Sequence, residues 1–288
     1  MEDIIEREYQ NKEDLTKTIQ CGKITLIDCF PRIVPKGRYC DYSVVRAARV
    51  SYDLGLKSEK EDNSLIDYMF RNEHTSPFEM CEFLFLIETP LAIATHLLRH
   101  RTANLNQFSQ RYSEVPEEDT FYYPSHYENG IRLQSQNNKQ LSVIDSNSDK
   151  LKGLKDLAEK AEEKIREIYD IYQKMNNLGC AREVSRFYLP QCTMTKMYYK
   201  MDLHNICNLL EKRYDIDHAQ YETYLVAKAM YELIKPLVPQ TINCFDNYIS
   251  KSITFAGDEI NAIQNKRSLN SSKRRNLEFE DKTNKLNL

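Results

Sequence analysis

Residues 78–89, FEMCEFLFLIET, are rich in the aromatic and β-branched types that fill a strand, and Pro90 then opens a helix-like run, LAIATHLLRHR. That strand needs cover, and the pieces available to supply it set the fold class. KITLIDCF, 23–30, alternates apolar and polar residues and reads as a strand, as does TMTKMYYKMD, 193–202. Helices are expected at DYSVVRAARVSY (41–52, capped by Asp41), SLIDYMFRNEH (64–74), the long amphipathic 151–177, AREVSRFY (181–188, ended by Pro190), HNICNLLEKR (204–213) and HAQYETYLVAKAMYELIK (218–235). Strands and helices mix without a regular βαβ alternation, which predicts an α+β protein: a mixed sheet with flanking helices.

Residues 1–20 read as a polar N-terminal extension holding one helix, and 21–255 as one folded domain interrupted by a polar insertion at about 134–150, QSQNNKQLSVIDSNSDK. Residues 256–288 read as a polar, disordered tail. The 288 residues are 41% hydrophobic, enough for a core, and the net charge of −3 gives no overall field that would draw the protein to nucleic acid. None of the eight cysteines forms a CxxC pair, which argues against a zinc ribbon or a thioredoxin-like site, and no His/Cys/carboxylate cluster has metal-ligand spacing. The start, MEDIIEREYQNKED, is not a signal peptide, and no apolar run approaches the roughly 20 residues of a membrane helix. These features predict a cytoplasmic protein with no membrane partner, its cysteines serving mostly as small core residues.

Against this mildly acidic background, RHRTANLNQFSQRY, 99–112, concentrates fixed positive charge. Arg and His at a helix C-terminus complement the helix dipole, and that is the plain reading of RHR alone. The same segment also carries Asn104, Asn106, Gln107, Ser109, Arg111 and Tyr112. Arginine forks match a phosphate, and amides can read a base edge, so the mixture suits a small phosphorylated nucleotide. A nucleic-acid backbone would call for more lysine and a longer stripe.

Arg99-His100-Arg101, seven residues, then Ser109, followed by Arg111-Tyr112, resembles the motif of the flavin-dependent thymidylate synthases, the ThyX family. Further segments resemble that family in its order: ARVSY (48–52), HTSPFE (74–79), AREVSRFYLP (181–190), NLLEKR (208–213) and HAQYE (218–222). The resemblance covers roughly residues 40–250 and makes 21–255 a ThyX-like catalytic domain. It implies a methyltransferase that converts dUMP to dTMP with bound FAD, NADPH as reductant and methylenetetrahydrofolate as carbon donor. It also implies a homotetramer with active sites at subunit interfaces.

Carried over residue by residue, the resemblance places Ser51, His74, Ser76, Arg99, His100, Arg101, Asn106, His204 and Asn208 on FAD, His204 standing where the family often has an arginine. It places Arg99, Gln107, Ser109, Arg111, Arg186 and Arg213 on dUMP. Uracil C5 is a weak nucleophile, and addition at C6 makes it enolate-like, so a cation near the carbonyls favours the reaction. Arg213 is the candidate for that catalytic role. The flavin is expected to carry the redox step and relay the carbon, with no protein nucleophile. Ser109 could be read as a nucleophile, but a serine needs an activating base, and a nucleotide-holding hydroxyl is preferred.

Three positions depart from the family pattern: His96 in place of a Gln, Gln107 in place of a Glu, and Asp202 in place of an Asn. Gln107 and His96 motivate a rival reading, a flavin- and nucleotide-binding homologue without turnover. An RNA-binding module using the basic cluster and KRSLNSSKRR (266–275) is a second rival. Cys192 in LPQCTM weakly resembles the nucleophile of the classical thymidylate synthases, but Thr193 follows where a His would stand, so a packed strand residue is expected. Glu79 is expected to satisfy buried polar groups near His74, His126 to be a surface or lid residue, and His218 to be structural. The tyrosine-rich 121–127 segment is either a cover for folate or flavin or an ordinary loop.

Overall fold

The computed structural model describes residues 4–6, 15–52, 55–116, 120–136, 141–144, 148–265, 267–269 and 271–286. Two compact units result, Met1–Phe245 and Asp246–Leu288. The first is built on a five-stranded sheet formed by β2 (Thr16–Ile19), β3 (Gly22–Phe30), β5 (Glu82–Pro90), β6 (Asn104–Gln107) and β9 (Met194–Asp202), in the order β2-β3-β5-β9-β6. Short β1 (Ile4–Glu6) pairs with β4 (Ile33–Pro35), and β7 (Leu133–Gln134) with β8 (Ser142–Val143).

Every pair in the main sheet is antiparallel, which corrects the expected mixed sheet. Each strand runs back along its neighbour, so none requires the long crossover that a parallel pair demands. Within the N-terminal stretch expected to hold a helix, Thr16–Ile19 instead pair with Gly22–Thr25 in the β2–β3 hairpin, and residues 1–3 and 7–14 lie outside the described residues. Gly22 makes that turn possible: its φ is +142°, and a Cβ there would lie 1.8 Å from the Glu88 carbonyl oxygen.

Alternation along β5 and β9 builds the core. Phe83, Phe85 and Ile87 are buried opposite Met201, Tyr199 and Met197. Each such side chain contributes roughly 1.5–3 kcal/mol by leaving water. Helices α3 (Leu91–Leu97), α6 (Leu203–Arg213) and α7 (Tyr221–Ile234) pack against the sheet. The alternate positions Leu84 and Leu86 are only half-buried, and Ile27 and Tyr198 are exposed. Helices α1 (Tyr42–Arg49), α2 (Glu59–Arg71) and α8 (Pro239–Phe245) form a layer in which α2 packs on both α1 and α8. The 30-residue α4 (Ser148–Asn177) precedes the short α5 (Arg182–Ser185). All eight cysteines are free thiols, six of them buried.

In the second unit, a π-helical turn, Asp246–Ser250, leads to α9 (Gly257–Gln264) and α10 (Lys273–Leu286). Ala262, Leu269 and Phe279 form its small core, and Lys282 pairs with Glu259 at 2.8 Å. The segment expected to be a disordered tail therefore carries two helices with apolar contacts of their own. Among the described residues no helix is long and apolar enough to cross a membrane.

Candidate nucleotide and flavin site

Helix α3 stops at Leu97, earlier than the expected helix through residue 101, and Arg99-His100-Arg101 lie in the turn that follows. The Arg99 and His100 amides donate to the His96 and Leu97 carbonyls, closing the turn. Arg99 and Arg101 are thereby exposed, whereas His100 is half-buried and meets the last residue of α6. Arg213 Nε donates to His100 Nε2 at 3.1 Å. An acceptor Nε2 requires the ring to be neutral, with its proton on Nδ1. Burial first, then the Arg213 cation and His96, push the His100 pKa down from 6.5 to about 4. Burial also lowers that of Arg213.

His96, one turn earlier on α3, places Nδ1 3.0 Å from Thr223 Oγ1 and 3.2 Å from Gln220 Oε1 at the start of α7. Burial and the Arg213 charge hold it below the ordinary histidine range; the Gln220 bond opposes this, and Arg99 adds to the lowering. The first group is thus two neutral imidazoles among cations, offering both acceptors and donors. Gln220 and Thr223 had no assigned role in the sequence. Both fall in the expected helix 218–235, whose first residues are HAQYE.

A second group follows β6. Gln107 Nε2 donates to Thr195 Oγ1 on β9 at 3.2 Å, which leaves its carbonyl oxygen able to accept. Ser109 Oγ accepts from the Arg111 amide at 3.3 Å, and no imidazole or carboxylate bonds it among the described residues. The loop is tied to the α5 segment twice: Arg111 pairs with Glu183 at 3.3 Å, and Arg182 with Glu114 at 3.2 Å. Arg186, in the 3-10 turn after α5, lies 5.9 Å above the Phe187 ring. The structure therefore ties the loop that carries Ser109 and Arg111 to α5 through Glu183 and Arg182, and Arg186 stands on the turn that follows. Beside Gln107 opens a cleft of about 690 Å³, lined in part by Gln20, Lys23, Glu88, Phe108, Tyr122 and Thr195. That volume is in the range of small-molecule sites.

A third group gathers expected flavin contacts. The 3-10 turn Ser76–Met80 packs against both α1 and α6. Ser51 follows α1 in the turn Val50–Tyr52, and His74 sets its ring edge-on to Tyr68 at 5.7 Å. On α6, Asn208 Nδ2 donates to His204 Nε2 at 3.2 Å. Asp202 caps this helix: Oδ1 accepts from the Asn205 amide at 2.9 Å and Oδ2 from Asn205 Nδ2 at 2.7 Å. Its charge is thus spent on a helix N-terminus, where an anion is favoured. Arg101 and Asn106 are exposed near the turn and β6 respectively.

Other candidates fall outside these groups. Glu79 is exposed, so it does not satisfy buried groups near His74. His126 Nε2 sits 2.9 Å from Glu162 on α4, pinning the 121–127 loop, and His218 lies 2.6 Å from Asp215. Cys192 is half-buried in the turn before β9, and burial raises its thiol pKa, the wrong direction for a nucleophile.

Residues 38–240 match a family model described as thymidylate synthase complementing protein. The chain is 40% identical over 262 residues to a protein of Dictyostelium discoideum named flavin-dependent thymidylate synthase, covering 91% of this chain and 84% of that one. A protein of the same name from Ehrlichia ruminantium is 35% identical over 264 residues, 92% and 81% of the two chains. Among solved structures, the UMP/dUMP methylase PolB from Streptomyces cacaoi, bound with 5-Br dUMP, superposes with a TM-score of 0.63 at 26% identity, over 78% of this chain and 94% of that one.

Proposed function

Because the chain belongs to the flavin-dependent thymidylate synthases, we propose that its arginine groups hold dUMP beside FAD for reductive methylation to dTMP, with NADPH and methylenetetrahydrofolate as co-substrates. The observation that carries the assignment of roles is the Arg213–His100 contact, which joins two distant motifs in one half-buried cluster.

The residue chemistry fits a flavin dinucleotide. Arg99 and Arg101 are exposed cations suited to a diphosphate, His100 is neutral, and Asn106 and Asn208 are exposed amides. Ser51, His74, Ser76 and His204 complete the proposed flavin contacts, because the turn bearing Ser76 packs between α1 and α6. The bound flavin supplies the redox chemistry and the carbon relay.

For dUMP, Arg99, Arg111 and Arg186 bind the nucleotide, with Ser109 as a hydroxyl contact. Gln107 directs its free carbonyl oxygen to a donor. Arg213 sits near the uracil carbonyls, where a cation stabilises the charge that develops when C6 is attacked. Half-burial strengthens its field relative to water. Ser109 makes its bond to the Arg111 amide and acts as no nucleophile. The sites are completed between copies in a homotetramer; the half-open sheet face with exposed Ile27 and Tyr198 supports a surface covered by another copy. Free thiols throughout support a reducing, cytoplasmic setting.

Tritium release from C5-labelled dUMP, with FAD, NADPH and methylenetetrahydrofolate present, tests the reading. Release at a rate that Arg213→Ala lowers by about 10²–10³ is expected. Full flavin binding with no release would replace it with a binding homologue that has lost turnover.

A further inference from the structure

Asp62 is buried on α2 where it meets α1, and three donors converge on its carboxylate. Arg49 Nη1 donates to Oδ1 at 2.6 Å, and the Lys57 amide donates to the same oxygen at 3.2 Å. Arg38 Nη2 lies 3.2 Å from Oδ2. Both guanidinium groups also reach the chain that links α1 to α2. Arg49 Nη1 donates to the Gly55 carbonyl at 3.1 Å, and Arg38 Nη2 donates to the Lys57 carbonyl at 2.6 Å.

Stability alone does not account for this arrangement. A buried ion cluster is often no more stabilising than apolar side chains of the same volume. Apolar side chains, however, could not hold two carbonyls and an amide of the connecting chain. That chain begins with Ser51. The turn Val50–Tyr52 continues α1, the Val50 amide donating to the Ala47 carbonyl, and Ser51 is exposed on it. Arg49 and Gly55, six positions apart, are joined by a hydrogen bond, so Ser51 lies between two tied points. Lys57 is fixed at both its amide and its carbonyl, which anchors the far end to Asp62 and Arg38.

We infer that Arg38, Arg49 and Asp62 are positioning residues: they clamp Gly55 and Lys57 so that the turn before them presents the Ser51 hydroxyl to the flavin dinucleotide. A turn held in advance loses its freedom during folding rather than during binding, and preorganisation of this kind tightens a complex. The donor pattern also explains why position 62 needs a carboxylate. Two guanidinium groups and an amide can only donate, and both Asp62 oxygens can only accept. In Asp62→Asn one arm of the side chain becomes a donor and faces a donor whichever way it turns. The inference rests on the flavin reading above for what Ser51 touches, but not for the clamp itself.

The test uses the full-length holoprotein and compares Asp62→Asn, Arg38→Ala, Ser51→Ala and the double variants. Arg38 is the least buried of the three clamp residues, so Arg38→Ala keeps the test decisive if Asp62→Asn folds poorly. Each single variant should release FAD about three- to tenfold faster, the worth of one net hydrogen bond, followed by flavin fluorescence. Hydrogen exchange at the Lys57 amide should quicken in both clamp variants while β5 stays protected. In the Ser51→Ala background, Asp62→Asn and Arg38→Ala should add nothing further to release, because an absent hydroxyl cannot be misplaced. Equal factors in both backgrounds would show that the cluster serves the helix layer and not the serine, overturning the inference with the flavin reading intact. Unchanged exchange at Lys57 would overturn the clamp. Ser51→Ala releasing FAD at the native rate would instead refute Ser51 as a flavin contact, and its positioning with it, while the exchange result still measures the clamp.

Discussion

His100 is half-buried against a guanidinium, and lost hydration together with that charge holds its pKa at about 4 rather than the 6.5 of a free ring. Between those values the unfolded chain binds more protons than the folded one, so stability falls as pH drops from 6.5 towards 4 and levels off below. Melting temperatures measured across this window should decline less steeply in His100→Gln than in the native protein; parallel curves would disprove the coupling. His96, shifted in the same direction, adds to the slope. The identities of these residues were legible in the sequence because RHR and NLLEKR stand out as motifs. Their contact was not, because His100 and Arg213 are 113 positions apart and only the packing of α6 against the sheet brings them together. His96 and Gln107 were legible only as departures. What each does depends on Gln220 and Thr195, neighbours that no local pattern reveals.

Helix α6 shows how an element resolves a question posed by one residue. Asp202 stands where the family pattern has an asparagine, and both its oxygens are engaged by Asn205. Asp202→Ala should cost about 1 kcal/mol in denaturant unfolding, and Asp202→Asn a few tenths at most, since the two residues cap almost equally well. At the other side of the sheet, Gly22→Ala would drive a methyl group into the Glu88 carbonyl, 1.8 Å from the ideal Cβ position. A loss of about 1–3 kcal/mol is expected from that clash; an unchanged denaturation midpoint would show that β3 and β5 can part freely. Strands β3, β5 and β9 were legible because their side chains alternate over nine residues each. Strand β6 was not: NLNQ is short and polar, and becomes a strand only because β9 offers it an unpaired edge. Helix α2 starts five residues before the expected position 64, at a capping box formed by Ser58 and Glu61.

At the scale of the whole molecule, the proposed sharing of sites between copies makes a prediction that one chain alone cannot meet. Arg111→Ala and Arg213→Ala should each lower turnover severely, the second by about 10²–10³. Refolding the two together should recover a measurable fraction, because some sites in mixed tetramers would combine intact halves. If mixtures stay inactive while assembling normally, both arginines serve within one chain. The α+β class was legible from the mixed order of strands and helices, whereas the strand directions and the helices of the second unit were not, since they depend on pairing and packing beyond any local period. The Arg111–Glu183 pair has a consequence for selectivity. Without a nucleotide, a glutamate already occupies the guanidinium, and an exposed pair of this kind is worth at most about 1 kcal/mol. A dianionic monoester anchored elsewhere by its base can displace that glutamate, whereas a weak, unanchored anion gains little by doing so. Glu183 would thus work as a built-in competitor, a threshold that keeps stray phosphate out of the pocket. Glu183→Gln should tighten inorganic phosphate and dUMP by the same small factor, at most about fivefold, measured as an inhibition constant for the one and a Kd for the other.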